Sequence, residues 1–405
     1  MIPKKLKEIS TELRLSDWLK PILRLTDVYI VGGTIRDVFL GKSIKDIDLI
    51  VDKLSLEKIK NLLLPHGRVD IVGESFSVIK FKPKGFRGEP YDIAIPRMDR
   101  KIGKGHKGFE IITDNVDILT DLKRRDFTIN SIAVNIRNNE LIDPFYGIDD
   151  INDKLLRATN KTSFFEDPLR ILRGIQFAAR FNFSIESNTL KLMKQNSKFI
   201  KEISGERIFE ELMKILNKKG NTSLALNLLN KTGVDKALFD KEMLTYGVDD
   251  FEKLDPISFF YVLGLLGDVN PGDFLKKRLK GDSKLEDNVR TLDNIITLLP
   301  KVSKNEEDFK FMLFKAFNKS PKVIDANILP TETREIVYNM KVNKIPMTED
   351  DIKITGEDIM KIGNLKEGPE IGFIKEKILR DALMNRFNWK DRNDSLEYLA
   401  NLLLL

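Results

Sequence analysis

No cysteine occurs anywhere in the 405 residues, which excludes a disulfide framework, a zinc cluster and thiol catalysis together. Histidine is nearly as scarce. His66 and His106 are the only two, too few for a histidine-built metal site or a His-Asp phosphohydrolase module. Long apolar runs are missing as well: the longest, Ile257–Gly267, is interrupted by Ser258 and is too short to span a bilayer. The N-terminus, MIPKKLKEISTELRLSDWLK, has neither the apolar run of a signal peptide nor the acid-poor character of a transit peptide. A soluble, cytoplasmic chain with no membrane contact is expected. Charge, by contrast, is plentiful: 32% of residues are charged, with a formal net charge of +6. A modest positive excess suits a polyanionic partner without proving one.

The chain changes character along its length. Residues 1–27 read as one or two short amphipathic helices. From Val28 to about Pro144 strand signals dominate, with Arg68–Val72, Phe76–Lys82 and Tyr91–Ile95 as short or alternating apolar runs between Gly and Pro. Helices are expected between the Gly32-Gly33 turn and the next strand, and over Leu54–Leu64. This predicts a small α+β head with a mixed or largely antiparallel sheet and flanking helices. Beyond about Thr159 the strand signal stops, and the periodicity predicts helices over Asp167–Arg180, Glu206–Asn217, Asn221–Asn230, Pro256–Leu266, Leu285–Leu299 and Asn305–Phe317.

The segment VYIVGGTIRDVFLGKSIKDIDLIV, Val28–Val51, carries the densest chemistry. A strand turns through Gly32-Gly33, offers Arg36, and returns as a second strand expected to hold Asp46 and Asp48. Residues at i and i+2 of a strand point to one side, so the two carboxylates repel unless a cation sits between them. Glycine turns leave backbone N–H groups open to phosphate, and an arginine adds charge. A phosphate cradle beside paired aspartates is the layout of metal-dependent nucleotidyl transfer. A third carboxylate should come from a neighbouring strand, and Asp92 in YDIAI fits, although an edge strand could also point it outward.

Three further constellations follow. In RRDFTINSIAVNI, Asp126 reads as a helix N-cap preceded by Arg124 and Arg125. Positive charge at an already positive helix end invites an anion, so the arginines read as phosphate contacts, with Asp126 and Asn130 near the sugar. In EDPLRILRGIQFAARF, Asp167 is the expected cap and Pro168 the first helical residue. Arg170 then falls where a capping box prefers Glu or Gln. Arg170, Arg173, Phe177 and Arg180 share one face of that helix, opposite the buried stripe of Leu169, Leu172, Ile175 and Ala179. Paired Arg and Asp side chains can match the hydrogen-bonding edges of bases. Third, Ser204-Gly205-Glu206-Arg207 opens a helix carrying Glu210 and Glu211, read equally well as a site or as a capped helix with internal ion pairs. The span Arg97–Glu110 holds five Lys/Arg against two acids and three glycines, and reads as a mobile basic loop.

These motifs resemble the bacterial-type (class II) CCA-adding tRNA nucleotidyltransferase and poly(A) polymerase family. VGGTIRD…DIDLIV, YDIAIPR, RRDFTINSIAVN, LIDPFYGIDDINDKLLR, EDPLRILRGIQFAARF and ERIFEELMKIL follow in order over about residues 28–216, and ITGEDIMKIGNLKEGPEIGFIKEKILRDAL resembles the tail of the same enzymes. The resemblance implies a nucleotidyltransferase head (28–158) after an N-terminal helical extension (1–27). A helical neck (159–219), body (220–340) and tail (341–405) would follow in an elongated, seahorse-like arrangement. It implies template-independent addition or repair of the tRNA 3′-terminal CCA from CTP and ATP with release of pyrophosphate. Two Mg²⁺ ions would sit on Asp46, Asp48 and Asp92. Gly32, Gly33 and Arg36 match the triphosphate turn, Arg125 and Asp126 the ribose motif, Asp167 and Arg170 the protein template for the base, and Arg207 and Glu210 its support. Many relatives carry Glu where Asp92 stands. The partner implied is tRNA, gripped at its 3′ end, acceptor stem and adjoining helix. Narrower A-adding, CC-adding or poly(A)-adding work is the nearest alternative, and a non-catalytic RNA-binding protein the more distant one.

Overall fold

A computed structural model describes residues 2–44, 46–72, 78–101, 109–245, 247–302, 305–343 and 345–404. The chain divides into two compact units, Met1–Glu252 and Lys253–Leu405. Among the described residues no helix is long and apolar enough to cross a membrane.

The first unit opens with α1 (Lys4–Leu15) and α2 (Lys20–Leu23). Then come β1 (Val28–Val31), α3 (Gly33–Phe39), β2 (Asp48–Val51), α4 (Leu56–Leu63), β3 (Gly67–Val72), β4 (Val78–Pro83) and β5 (Tyr91–Ala94). The hairpin β6 (Met98–Lys101) and β7 (Phe109–Ile112) precedes α5 (Ile118–Lys123), β8 (Ala133–Asn135) and β9 (Leu141–Ile142). Seven strands form one sheet in the order β3-β4-β5-β2-β1-β8-β9. β1 reads VYIV because both of its faces are buried in mid-sheet. Every neighbouring pair is antiparallel except β2 and β5, which run parallel.

That parallel pairing sets Asp48 opposite Asp92, and the next pairing sets Asp92 opposite Lys80. Tyr29, Val31, Ile50 and Ala133 pack on Ile118 and Leu122 of α5. Trp18 packs 5.0 Å from the rings of both Phe81 and Tyr91. Each fully buried side chain of this size contributes roughly 1.5–3 kcal/mol. The strands carrying the acidic residues are therefore anchored along their length.

The unit continues with α6 (Gly147–Asn152), β10 (Leu155–Leu156), α7 (Ser163–Glu166), α8 (Leu169–Phe181), β11 (Ser184–Ile185) and α9 (Ser187–Asn196). It closes with α10 (Gly205–Asn217), α11 (Thr222–Lys231) and α12 (Val234–Phe239). α8 buries Ile171, Leu172, Ile175 and Ala178 and stops at Asn182, whose φ of 55° is a left-handed cap.

The second unit holds α13 (Pro256–Leu266), α14 (Pro271–Asp273), α15 (Ser283–Thr297), α16 (Leu299–Val302), α17 (Glu306–Lys319), α18 (Thr331–Val342), α19 (Gly356–Gly363), α20 (Pro369–Leu383) and α21 (Arg392–Leu403). Asp255 caps α13 by accepting from the N–H groups of Ile257 and Ser258. Phe311, Phe314, Met340, Leu383 and Trp389 share one apolar core. Buried Asp381 accepts hydrogen bonds from Tyr398, Arg386 and Lys377.

Several local expectations are corrected. FTINSIAVN is not a helix capped by Asp126: a 3₁₀ turn spans only Thr128–Asn130, and Ala133–Asn135 is strand β8 paired with β1. Tertiary pairing of an apolar, β-branched run overrides the local cap signal. β2 begins at Asp48, so Asp46 lies in the approach to the strand. Strand structure also persists past Thr159, where β11 pairs in parallel with β10. Helix α8 starts at Leu169, whose N–H donates to Asp167 Oδ1 at 3.2 Å. Of the expected basic loop, residues 102–108 lie outside the described residues, as do Phe76 and Ser77 of the expected strand.

Candidate active site

Gly32 sits between β1 and α3 with φ +67°, a conformation that L side chains rarely adopt. The space is tight as well. A Cβ there would lie 2.9 Å from Arg125 Nη1 and 3.8 Å from Asp48 Oδ2, so the bend is wedged between a cation and a carboxylate. Thr34 Oγ1 donates to the Asp46 backbone carbonyl at 3.0 Å, tying the approach to β2 onto α3. Asp46, Asp48 and Asp92 line one cavity of about 370 Å³ with Gly33, Lys42 and Arg180.

Asp48 is short of positive charge. Burial raises its pKa, and the charges of Asp92 and Asp46 raise it further against the opposing pull of Arg125 and Lys80. Lys80 Nζ donates to Asp92 Oδ1 at 2.8 Å. Among the described residues no three carboxylate or imidazole groups are drawn close enough to form a ready metal cage. The acids lining the cavity nevertheless offer only hard carboxylate oxygens, with Asp48 short of positive charge, which fits a divalent cation such as Mg²⁺.

A second cavity of about 620 Å³ shares Gly33, Arg36 and Asp48 with the first. Its far wall is polar: Asp126, Asn130, Asp167, Arg170, Arg173 and Arg207. One chain of contacts binds this wall to the glycine bend. Arg36 donates to Asn130 Oδ1, Asn130 Nδ2 donates to Asp126 Oδ1 at 3.0 Å, and Arg173 Nε donates to Asp126 Oδ2 at 2.8 Å. At the other end Arg36 Nε donates to Asp37 at 2.9 Å, and Arg180 lies 3.7 Å from the same carboxylate. Burial alone would raise the pKa of Asp126, but Arg173, Asn130 and Arg170 outweigh it and hold the group at about 2. Asp121, fully buried, is held down in the same way by Arg125 and Arg124, which donate to it at 3.0 and 2.9 Å.

Aromatic faces fill the gaps between these charges. Arg36 and Arg173 each stand 5.3 Å from the Phe177 ring. Arg36, Lys42 and Arg180 stand 4.5–4.8 Å from Phe181. Burial and mutual repulsion lower the pKa values of both Lys42 and Arg180. Such crowding favours an anion arriving among them.

Most residues expected from sequence meet at these two cavities, but not all as expected. Gly32, Gly33, Arg36, Asp48, Arg125, Asp126, Asn130, Asp167, Arg170, Arg173 and Arg207 line the larger one. Asp46, Asp92 and Arg180 line the smaller one, so Arg180 parts company with its helix neighbours. Arg170 Nη1 donates to Ser163 Oγ at 2.9 Å rather than to Asp167. Glu210 is exposed and lines neither cavity. Its neighbour Glu211 is the buried acid of α10, pairs with Lys214 at 2.6 Å, and helps to raise the pKa of Arg173.

Sequence reasoning missed Asp121, Lys42 and Lys80. Asp121 was within reach, since it stands three and four positions before the two arginines it binds. Also missed was a stripe at helical spacing: Lys191, Lys194, Lys198 and Lys201. They line a cleft of about 810 Å³ with Lys231 and Lys236. Lys201 pairs with Asp240 and Lys236 with Glu242, whose carboxylate Lys194 also helps to hold below its usual range.

Comparison with known proteins agrees with this geometry. The Poly A polymerase head domain matches residues 28–157, and the probable RNA and SrmB-binding site of polymerase A matches residues 182–245. The CCA-adding enzyme of Lactococcus lactis subsp. lactis is 30% identical over 386 residues, which cover 89% of this chain and 90% of that one. The chain belongs to the CCA-adding enzyme and poly(A) polymerase family. A solved CCA-adding enzyme in complex with CTP superposes with a TM-score of 0.71 at 25% identity, covering 100% of this chain and 97% of that one. The Thermotoga maritima CCA-adding enzyme complexed with tRNA gives 0.65 at 26% identity, covering 99% and 96%. The α+β head followed by helices is thus the fold of this family.

Proposed function

We propose that the protein is a cytoplasmic nucleotidyltransferase that builds or repairs the CCA end of tRNA from CTP and ATP, releasing pyrophosphate. The observation that carries this reading is the meeting of two unlike cavities at Gly33, Arg36 and Asp48. One presents hard carboxylates and cations; the other presents Asp and Arg side chains able to pair with a base. Near-full-length similarity to CCA-adding enzymes supports it.

The chemistry needs an RNA 3′-hydroxyl to attack the α-phosphorus of the nucleotide while the bond to pyrophosphate breaks and the hydroxyl proton leaves. Asp46 and Asp48 would hold Mg²⁺, joined by Asp92. Bound there, the ions would supply positive charge to the phosphates and acidify the hydroxyl. Gly32, Gly33 and Arg36 face the triphosphate, with Lys42 and Arg180 adding charge beside it. Asp126, fixed by Arg173 and Asn130, would read a ribose hydroxyl. Asp167 and Arg170 select the base. Arg207 supports that wall and directs a buried Nη1 with no hydrogen-bond partner. The lysine cleft of α9 to α12 suits the phosphate backbone of a bound RNA.

The test uses tRNA lacking CCA, tRNA ending in C and tRNA ending in CC, each with CTP and ATP singly and together. Complete CCA on the first substrate with both nucleotides is expected, resolved one residue at a time on a gel. Addition that stops after CC, or that adds only the final A, would narrow the activity. No incorporation on any substrate overturns the reading.

A further inference from the structure

Across β3, β4, β5 and β2 the strand registers align Asp70, Lys80, Asp92 and Asp48 in one row. Directly opposed residues share a sheet face, with Cβ atoms about 4.5–5.5 Å apart. Lys80 therefore stands between two carboxylates. Its Nζ donates to Asp92 at 2.8 Å, while Asp70 pairs with Arg68 at 2.8 Å. Lys80 and Asp92 are both partly exposed, at 45% and 35% of their side chains, so the lysine is free to turn without moving the backbone.

Asp92 is one of the three acids that line the smaller cavity. An ammonium holds an oxygen that a divalent ion would need. Without any cation, Asp46, Asp48 and Asp92 would repel one another in a partly desolvated site. A lysine on the adjacent strand relieves that repulsion only while the ion is away.

We propose that Lys80 is a placeholder cation that neutralises Asp92 in the metal-free protein and passes to Asp70 when a divalent ion takes Asp92. This rests on the reading of Asp46, Asp48 and Asp92 as metal ligands. Lys80 is a positioning residue: it keeps the third ligand in place between turnovers, and it sets a threshold that the ion must overcome.

The experiment measures Mn²⁺ binding directly, from the electron paramagnetic resonance signal of free Mn²⁺, at fixed ionic strength. Lys80→Met and Lys80→Gln are expected to bind Mn²⁺ roughly three- to tenfold more tightly than wild type, since one unit charge at about 5 Å is removed. Asp70→Asn, which denies the displaced ammonium its second seat, should weaken binding about twofold in wild type and not in the Lys80→Met background. Melting curves give the complementary readout. Lys80→Met should melt below wild type in EDTA and level with it in saturating Mn²⁺, whereas a merely structural lysine would lower both. Unchanged or weaker Mn²⁺ binding in both Lys80 variants overturns the inference, as does an equal Asp70→Asn effect in the two backgrounds. Absence of Mn²⁺ binding by wild type would instead sink the metal-ligand reading itself, and the role of Lys80 with it.

Discussion

Two groups of aspartates in the first unit meet opposite treatment. Asp121 and Asp126 are buried, and guanidinium groups saturate them: Arg124 and Arg125 on the first, Arg173 on the second. Asp48 is also withdrawn from water, yet the charge that most affects it is the neighbouring carboxylate of Asp92. The saturated pair fixes geometry, joining α8 to the Gly32-Gly33 bend through Arg173, Asp126, Asn130 and Arg36. The under-compensated group leaves an electrostatic deficit for an incoming cation to fill. Balanced charge here accompanies scaffold, and unbalanced charge falls where the chemistry is proposed.

Substituting one member of each group should separate the two roles. Asp48→Asn is expected to reduce nucleotide incorporation by at least about a thousandfold, the several kcal/mol that metal-centred charge stabilisation supplies. Its melting temperature in EDTA should not fall, because a repulsion has been removed. Asp126→Asn should behave differently, losing about 3 kcal/mol in urea denaturation as Arg173 is left without its counter-charge. A stable Asp126→Asn protein would show that the network is not scaffold.

Acid should reveal the same asymmetry. The Asp126 pKa of about 2 lies below its ordinary 3.8, so protons bind the unfolded chain more readily. Its contribution, about 2 kcal/mol, is complete above about pH 5 and is lost as pH falls through 3.8 to the folded value of about 2. Asp126→Asn should flatten that part of the acid-unfolding curve. Next in size, Arg170→Ala should reduce discrimination of CTP and ATP against UTP and GTP by roughly tenfold or more, in competition assays, if its hydrogen bonds read the base. Smallest per residue, Lys191→Gln, Lys194→Gln and Lys198→Gln should each lower the salt slope of tRNA binding by about 0.7–0.9. A slope identical to wild type in the triple variant would remove the cleft from the RNA path.

How far the sequence disclosed this site follows from how local each signal was. Val28–Val51 was legible because strand, glycine bend and acidic return lie within one short stretch. The arginine face of α8 was legible through its 3.6-residue period. Asp126 misled because its cap signal was local, whereas β8 owes its existence to pairing with β1. Glu210 and Glu211 could not be told apart from sequence: one residue turns about 100° around a helix, and Glu211 takes the buried side while Glu210 is exposed. Lys80 was invisible because its meaning depends on which strands become neighbours. The lysine stripe of α9 and the 3₁₀ turn after it could be read from spacing alone, but Lys231 and Lys236, which make it a cleft, come from later helices.

The lone parallel pair in the sheet has one more consequence. Asp48 and Asp92 are neighbours through the alignment Asp48–Asp92, Leu49–Ile93 and Ile50–Ala94, and the chain between them is a detour. Extra residues spliced into the exposed turn at Arg87–Glu89 would lengthen that detour without touching the pair. Sliding β5 by one residue would instead bring Tyr91 or Ile93 to the cavity face and turn the acid away from it. Loop length leaves the pairing untouched; strand alignment decides it.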